Sequence, residues 1–288
     1  MVVVHGGAGS LGEELREHGA ACRDALRTAL ESAAAVLEVG QDAVEAVRSA
    51  VSVLESFPLF NAGHGSALCA DGTVEMSAAL MRGSDRAAGA VAVVTRTEHP
   101  IFAAHALLDA RQVLMVGEPA DACAAANGAQ QREPGHFVTD RQLQRLQEPA
   151  GNAEGGHGTV GAVCLDSNGL LAAATSTGGL VGQRPGRVGD TPLIGAGTWA
   201  DRHVAVSCTG DGEAFIRVGA ARLLAFLVEH GATLDAAARA ALDDVERCRG
   251  GGGLIAVDLR GDVAMPFSTE AMPRGVWRLG EEPTLDLS

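Results

Sequence analysis

Apolar positions recur along this chain with two periods, and the switches between them divide it into elements. Val2, Val3 and Val4 form a short continuous apolar run followed by glycines, which reads as a buried strand entering a loop. Leu26, Ala29, Leu30, Ala33 and Leu37 then step at three and four residues, predicting a helix over about 20–39. A second helix is predicted from Asp42, where Glu45 stands at capping-box spacing, through Val44, Val47, Val51 and Leu54 until Pro58 stops it. The period then drops to two: Val74, Met76, Ala78 and Leu80 alternate with other residues, and 90–95 continues as a further strand. Helical spacing returns at 103–111 and 120–126, with the apolar run 113–116 between them.

Residues 131–158 break the pattern. Pro134, Gly135, Pro149, Gly151, Gly155 and Gly156 punctuate a polar stretch that reads as a mobile linker. Two apolar runs follow, 160–166 and 170–175, joined by Ser167-Asn168-Gly169, a hairpin signal. A strand at 204–208, helices at 213–230 and 234–248, and a hairpin of 254–259 with 263–267 turning at Gly261-Asp262 complete the reading. No internal repeat is visible. Strands grouped as hairpins and helices grouped in pairs argue for an α+β fold in which helices cover antiparallel sheets.

Composition narrows the chemistry. The 288 residues are 47% hydrophobic and 20% charged, which suits a globular chain with a substantial core, read here as a single domain over 1–288. There is no Lys, so Schiff-base and P-loop chemistry are excluded, and no Tyr, which removes phenolic acid–base roles. A net charge of -14 disfavours nucleic acid and anionic membrane surfaces as partners, and no apolar run is long enough to span a bilayer. Six dispersed cysteines without a C-x-x-C pair suit a reducing compartment, and with no leader pattern at Met1 the expected location is cytoplasmic.

Several motifs invite over-reading. Gly7, Gly9 and Gly12 spell G-x-G-x-x-G after a strand, but no βαβ unit follows, and Glu31, at the distance of a ribose-binding acid, falls on a helix. Ser10 between Gly-rich neighbours imitates a nucleophile elbow without the strands that precede one. His5, His64 and His157 lack zinc spacing and read as loop or packing residues.

The step Gly158-Thr159 is more informative, because there the polar stretch runs into a buried strand. Thr suits a strand start by propensity alone. If the bond before it is broken, however, Thr159 owns a hydroxyl and a free α-amine whose ordinary pKa of about 7.7–8.0 allows it to act as its own base. Gly158 lets its carbonyl be approached closely and held in a conformation that other residues resist.

His5-Gly6-Gly7-Ala8-Gly9, Asn61-Ala62-Gly63, Asp71-Gly72-Thr73-Val74-Glu75, Gly158-Thr159-Val160-Gly161-Ala162-Val163, Ser176-Thr177-Gly178-Gly179, Pro185-Gly186-Arg187-Val188-Gly189-Asp190 and Cys208-Thr209-Gly210-Asp211-Gly212-Glu213 occur in that order. Together, from His5 to about Phe267, they closely resemble the plant-type L-asparaginase/isoaspartyl peptidase family of N-terminal-nucleophile (Ntn) hydrolases. The resemblance implies an αββα four-layer sandwich and self-cleavage into an α chain, 1–158, and a β chain, 159–288, usually assembled as a dimer of such pairs. It implies Thr159 as nucleophile, Thr177 hydrogen-bonded to its hydroxyl, Thr209 and the Gly210 N–H as oxyanion hole, and Asn61 nearby. Arg187 would grip a substrate α-carboxylate, and Asp190 with the Gly212 backbone its α-amine.

The substrates implied are small β-aspartyl amides, L-asparagine and isoaspartyl dipeptides, with no cofactor needed for catalysis. A structural sodium in the loop from Leu54 to His64, through Leu54, Glu55, Phe57, Phe60, Ala62 and His64, is implied by the resemblance alone. Asp211 makes Thr209-Gly210-Asp211-Gly212 similar to the glycosylasparaginases, which leaves an N4-glycosylated asparagine open as substrate. A non-processing binder of amino acids is the alternative outside catalysis.

Overall fold

The computed structural model describes residues 1–9, 13–148 and 158–288; Ser10, Gly12 and His157 lie outside the described residues. In chain order the strands are β1 Val2–His5, β2 Met76–Arg82, β3 Ala88–Val94, β4 Leu114–Val116, β5 Val160–Leu165, β6 Leu171–Thr177, β7 Thr198–Ala200, β8 Val204–Gly210, β9 Gly252–Asp258, β10 Val263–Ala264, β11 Arg274–Trp277 and β12 Thr284–Asp286. The helices are α1 Glu13–Glu38, α2 Ala43–Glu55, α3 Pro100–Ala106, α4 Glu118–Ala126, α5 Asp140–Gln147, α6 Gly212–Val218, α7 Ala220–Glu229 and α8 Leu234–Arg247.

The fold is mixed α/β with two sheets. One has the order β12-β11-β1-β5-β6-β2-β3-β4, antiparallel except for the β3–β4 pair, and the other β10-β9-β8-β7, antiparallel throughout. The period-two rule explains how they bury three cores. Val2 and Val4 point to α1 and α2, whereas Val3 points the other way and joins Val163, Ala173, Ala205, Ile255 and Val257 between the sheets. On the far side of β8 and β9, Val206, Leu254, Phe215, Leu224, Ala238 and Leu242 form the third. Alanine is the commonest residue in each core and allows close approach between layers.

Asp42 caps α2 by accepting from the Glu45 N–H at 3.1 Å, as its spacing predicts. The Asn168-Gly169 hairpin joins β5 to β6, with Gly169 at φ +81. Three expectations need correction. The single helix over 213–230 is two, because Gly219 adopts a left-handed conformation at φ +65, ending α6 and starting α7. Within 131–158, Pro134–Phe137 forms a 3-10 turn and Asp140–Gln147 is helical. This segment is polar, but Thr139 caps α5 and Gln142 is buried, donating from Nε2 to the Gly65 carbonyl at 2.7 Å. The short strands β7, β11 and β12 carry too little pattern of their own; β11 exists because β1 lies beside it. Among the described residues no helix is long and apolar enough to cross a membrane.

Candidate active site

Register puts the two hydroxyls of interest side by side. Val160 pairs with Ser176 across β5 and β6, so Thr159, one residue earlier, falls opposite Thr177. Thr159 Oγ1 donates to Thr177 Oγ1 at 3.0 Å, and both residues are buried. Thr177 Oγ1 also accepts from the Gly179 N–H at 3.1 Å, which fixes the partner hydroxyl. Asn61 reaches this place through its backbone: its N–H donates to the Gly158 carbonyl at 3.1 Å. Its side chain is spent on structure, with Nδ2 donating to the Gly179 carbonyl at 2.6 Å and Oδ1 accepting from the Ala67 N–H at 2.7 Å. A Cβ at residue 158 would lie 2.8 Å from Asn61 Cβ, so the approach requires glycine.

Behind the start of β5 runs a buried row of polar groups. His5 Nε2 lies 2.9 Å from Ser207 Oγ, Ser207 Oγ 2.8 Å from Thr175 Oγ1, and Thr198 Oγ1 lies 2.7 Å from Thr175 Oγ1 and 3.1 Å from the Thr191 carbonyl, to which it can give its one proton. Burial pushes the His5 imidazole down to about 3, against a smaller opposing contribution from the Thr159 backbone, so the ring is neutral at physiological pH. A Cβ at Gly161 would strike Ser207 Oγ, which explains the glycine two residues after Thr159. Thr209 stands on β8 with its Oγ1 accepting from the Ala8 N–H at 3.1 Å. A hydroxyl that accepts there keeps its own proton free to donate. The chain leaves β8 at Gly210 with φ +139, where any side chain would collide with the Gly251 carbonyl.

A third group gathers at the N-terminus of α6. A Cβ at Gly212 would meet Arg187 Nη2 and Asp190 Oδ1, each at 3.0 Å, so the missing side chain leaves room between a guanidinium and a carboxylate. Burial raises the Asp190 carboxyl to about 7 despite the backbone and Arg187 interactions that favour its charge. Its Oδ2 is buried without a hydrogen-bond partner. Arg187 donates from Nε and Nη2 to Glu213 Oε1 and Oε2 at 2.9 and 2.7 Å. That pairing holds the Glu213 carboxyl below its ordinary range.

The loop from Leu54 to His64 offers carbonyl oxygens. The Leu54 carbonyl accepts from Phe57 and also faces the Ser56 N–H, whereas Phe57 and Ala62 each accept one backbone hydrogen bond, from Phe60 and Gly65, which leaves each of those two a second lone pair. Gly63, at φ +55, brings its backbone onto the Glu55 carbonyl, where a Cβ would collide. The Glu55 carboxylate turns away and accepts from the Ile101 N–H at 3.0 Å. The His64 ring centroid lies 4.8 Å from that of His136, with the two planes tilted by 45°. Hard oxygen donors without charge suit an alkali cation such as sodium.

Thus Thr159 meets Thr177, Asn61 meets Gly158, and Arg187, Asp190 and Gly212 converge, whereas Thr209 makes its hydrogen bond with Ala8. Two participants carried no role in the sequence reading. Ser207 lies unmarked within a strand, and Glu213, the last residue of a motif, is singled out only by its contact with a partner 26 residues away.

A family model described as asparaginase matches residues 1–285. An isoaspartyl peptidase of Salmonella typhimurium is 43% identical over 303 residues, covering 99% of this chain and 97% of the relative. The Escherichia coli isoaspartyl peptidase is 41% identical, covering 99% and 94%, and an isoaspartyl peptidase/L-asparaginase of Bos taurus is 41% identical, covering 95% and 91%.

Proposed function

The chain belongs to the asparaginase family, and from that premise we propose that it is a self-processing hydrolase of β-aspartyl amide bonds, acting on L-asparagine and isoaspartyl dipeptides through Thr159. The observation that carries the reading is the pairing of the Thr159 hydroxyl with Thr177 directly after a glycine whose carbonyl is already held by the Asn61 N–H.

In self-cleavage, Thr159 Oγ1 attacks the Gly158 carbonyl carbon, and charge developing on that oxygen is met by the Asn61 N–H. The Gly158–Thr159 amide becomes an ester to Oγ1 with its nitrogen leaving as the α-amine, and water hydrolyses the ester. In turnover, that amine takes the Oγ1 proton, the oxygen attacks the substrate β-carbonyl, and the proton passes to the departing nitrogen, leaving a β-aspartyl ester on Oγ1; water, deprotonated by the same amine, then breaks that ester, releasing aspartate and returning the proton to Oγ1. The Thr209 hydroxyl and the Gly210 N–H receive the oxyanion, Arg187 holds the α-carboxylate and Asp190 the α-ammonium. The buried, unpartnered Asp190 Oδ2 supports a cationic occupant there.

The three cores support the αββα sandwich typical of Ntn hydrolases as the finer description of the fold. The carbonyl-lined loop, Leu54, Glu55, Phe57, Phe60, Ala62 and His64, would hold a structural sodium, with no part in the chemistry. A dimer of processed pairs and a cytoplasmic location complete the reading, the latter supported by six free thiols.

The test is a denaturing gel with N-terminal sequencing, followed by assay of L-asparagine, a β-aspartyl dipeptide, glycosylasparagine and N-acetylasparagine. A new N-terminus at Thr159 and turnover of the first two substrates are expected. Thr159→Ala should neither cleave nor hydrolyse. An intact chain that turns substrate over would overturn the mechanism, an intact and inactive chain would favour the binder, and turnover of glycosylasparagine alone would reassign the substrate.

A further inference from the structure

Glu213 sits next to Gly212 at the start of α6, with its side chain 44% exposed against 16% for Arg187. It takes two of the five guanidinium donors, those of Nε and one of Nη2, along one edge of the fork. The opposite edge, Nη1 with the second Nη2 hydrogen, keeps three donors, enough for one bidentate carboxylate. That edge is flanked by glycines. A Cβ at Gly189 would lie 2.9 Å from Nη1, and one at Gly212 3.0 Å from both Nη2 and Asp190 Oδ1. The chain therefore clears space where the unused edge meets the Asp190 carboxylate. An arginine held along one side cannot rotate its fork, so less freedom is lost when the second carboxylate binds.

We propose that Glu213 is a positioning residue for substrate recognition: it locks the Arg187 guanidinium so that its Nη1–Nη2 edge faces the α-carboxylate of the β-aspartyl substrate. The proposal rests on the functional reading of Arg187 given above. It differs from a blocking role, because the edge Glu213 occupies is not the edge beside Gly189 and Asp190.

The experiment is a double-mutant cycle on the processed enzyme: wild type, Glu213→Ala, Arg187→Ala and the double variant, with Glu213→Gln as a milder change that keeps one acceptor. Steady-state kinetics on L-asparagine and a β-aspartyl dipeptide, calorimetric binding of L-aspartate and the extent of self-cleavage are the readouts. Glu213→Ala should raise KM and weaken aspartate binding by roughly tenfold, the scale of one oriented charge-assisted contact, with kcat nearly unchanged. Self-cleavage should proceed as in wild type, Glu213→Gln should fall between, and Glu213→Ala should add nothing once Arg187 is gone. If Arg187→Ala raises KM and Glu213→Ala does not, or if the Glu213 effect persists without Arg187, the positioning role is wrong. If Arg187→Ala itself leaves KM and aspartate binding unchanged, the reading of Arg187 fails, and the proposal fails with it.

Discussion

The role proposed for Asp190 places two opposed demands on it. To hold a substrate ammonium it must be ionised, yet burial favours the protonated form and raises its carboxyl to about 7. In the substrate-free enzyme kcat/KM should therefore rise with pH through about 7, the Asp190 value, and continue rising as the Thr159 amine, near 7.7–8.0 in model compounds, loses its proton. For stability the sign reverses. An aspartate that titrates near 3.8 when unfolded and about 7 when folded gives the native state more bound protons between those values, so its contribution falls as pH rises through that window. Asp190→Asn should raise the melting temperature at pH 8 by a few degrees while abolishing substrate turnover. A thermal scan at pH 5 and 8 checks this; an equal shift at both values would mean that the buried charge is not the cause. At this scale the candidate site was legible in the sequence where a residue's own neighbours suggest its chemistry, as in Gly158-Thr159. It was illegible where a contact depends on a partner brought by folding, as with Ser207 and Glu213.

The junction of α2 with the β5–β6 hairpin hangs on one carboxylate. Asp166 accepts from the backbone N–H groups of Asn168 and Leu170 at 2.8 and 2.9 Å, closing the turn, and from Ala43 at 3.1 Å, tying in the first residue of α2. The acceptor is buried, so Asp166→Ala leaves three donors short at once and should cost about 3 kcal/mol. Denaturant titration should show this as a lower midpoint, with KM for asparagine unchanged because Arg187 and Asp190 are untouched. The same region shows what pattern can and cannot announce. Asn168-Gly169 names its turn because few other residues fit φ +81. The α5 helix, Asp-Arg-Gln-Leu-Gln-Arg-Leu-Gln, has too few apolar residues to announce a core face, and its anchor is an amide, Gln142 on the Gly65 carbonyl.

Across the whole molecule, self-cleavage between Gly158 and Thr159 would divide the larger sheet in an unusual way. Residues 1–158 contribute β1, β2, β3 and β4, and residues 159–288 contribute β5, β6, β11 and β12 together with the whole smaller sheet. The two sets interleave: β1 is hydrogen-bonded to β11 on one side and β5 on the other, and β2 to β6. The β1–β5 pair fills one core with Val2, Val4 and Ala162 and another with Val3 and Val163, so parting the pieces would expose both cores and three ladders at once. The cut therefore changes covalent connectivity without creating a separable subunit. Processed protein should elute from a sizing column under native conditions as one species containing both pieces, and separate only in denaturant. Thermal unfolding monitored by tryptophan fluorescence and by far-UV circular dichroism should give coincident transitions, since Trp199 and Trp277 lie in different sheets but both within the 159–288 piece. Release of the 1–158 piece before the fluorescence transition would show that the interleaved strands do not hold the cut molecule together.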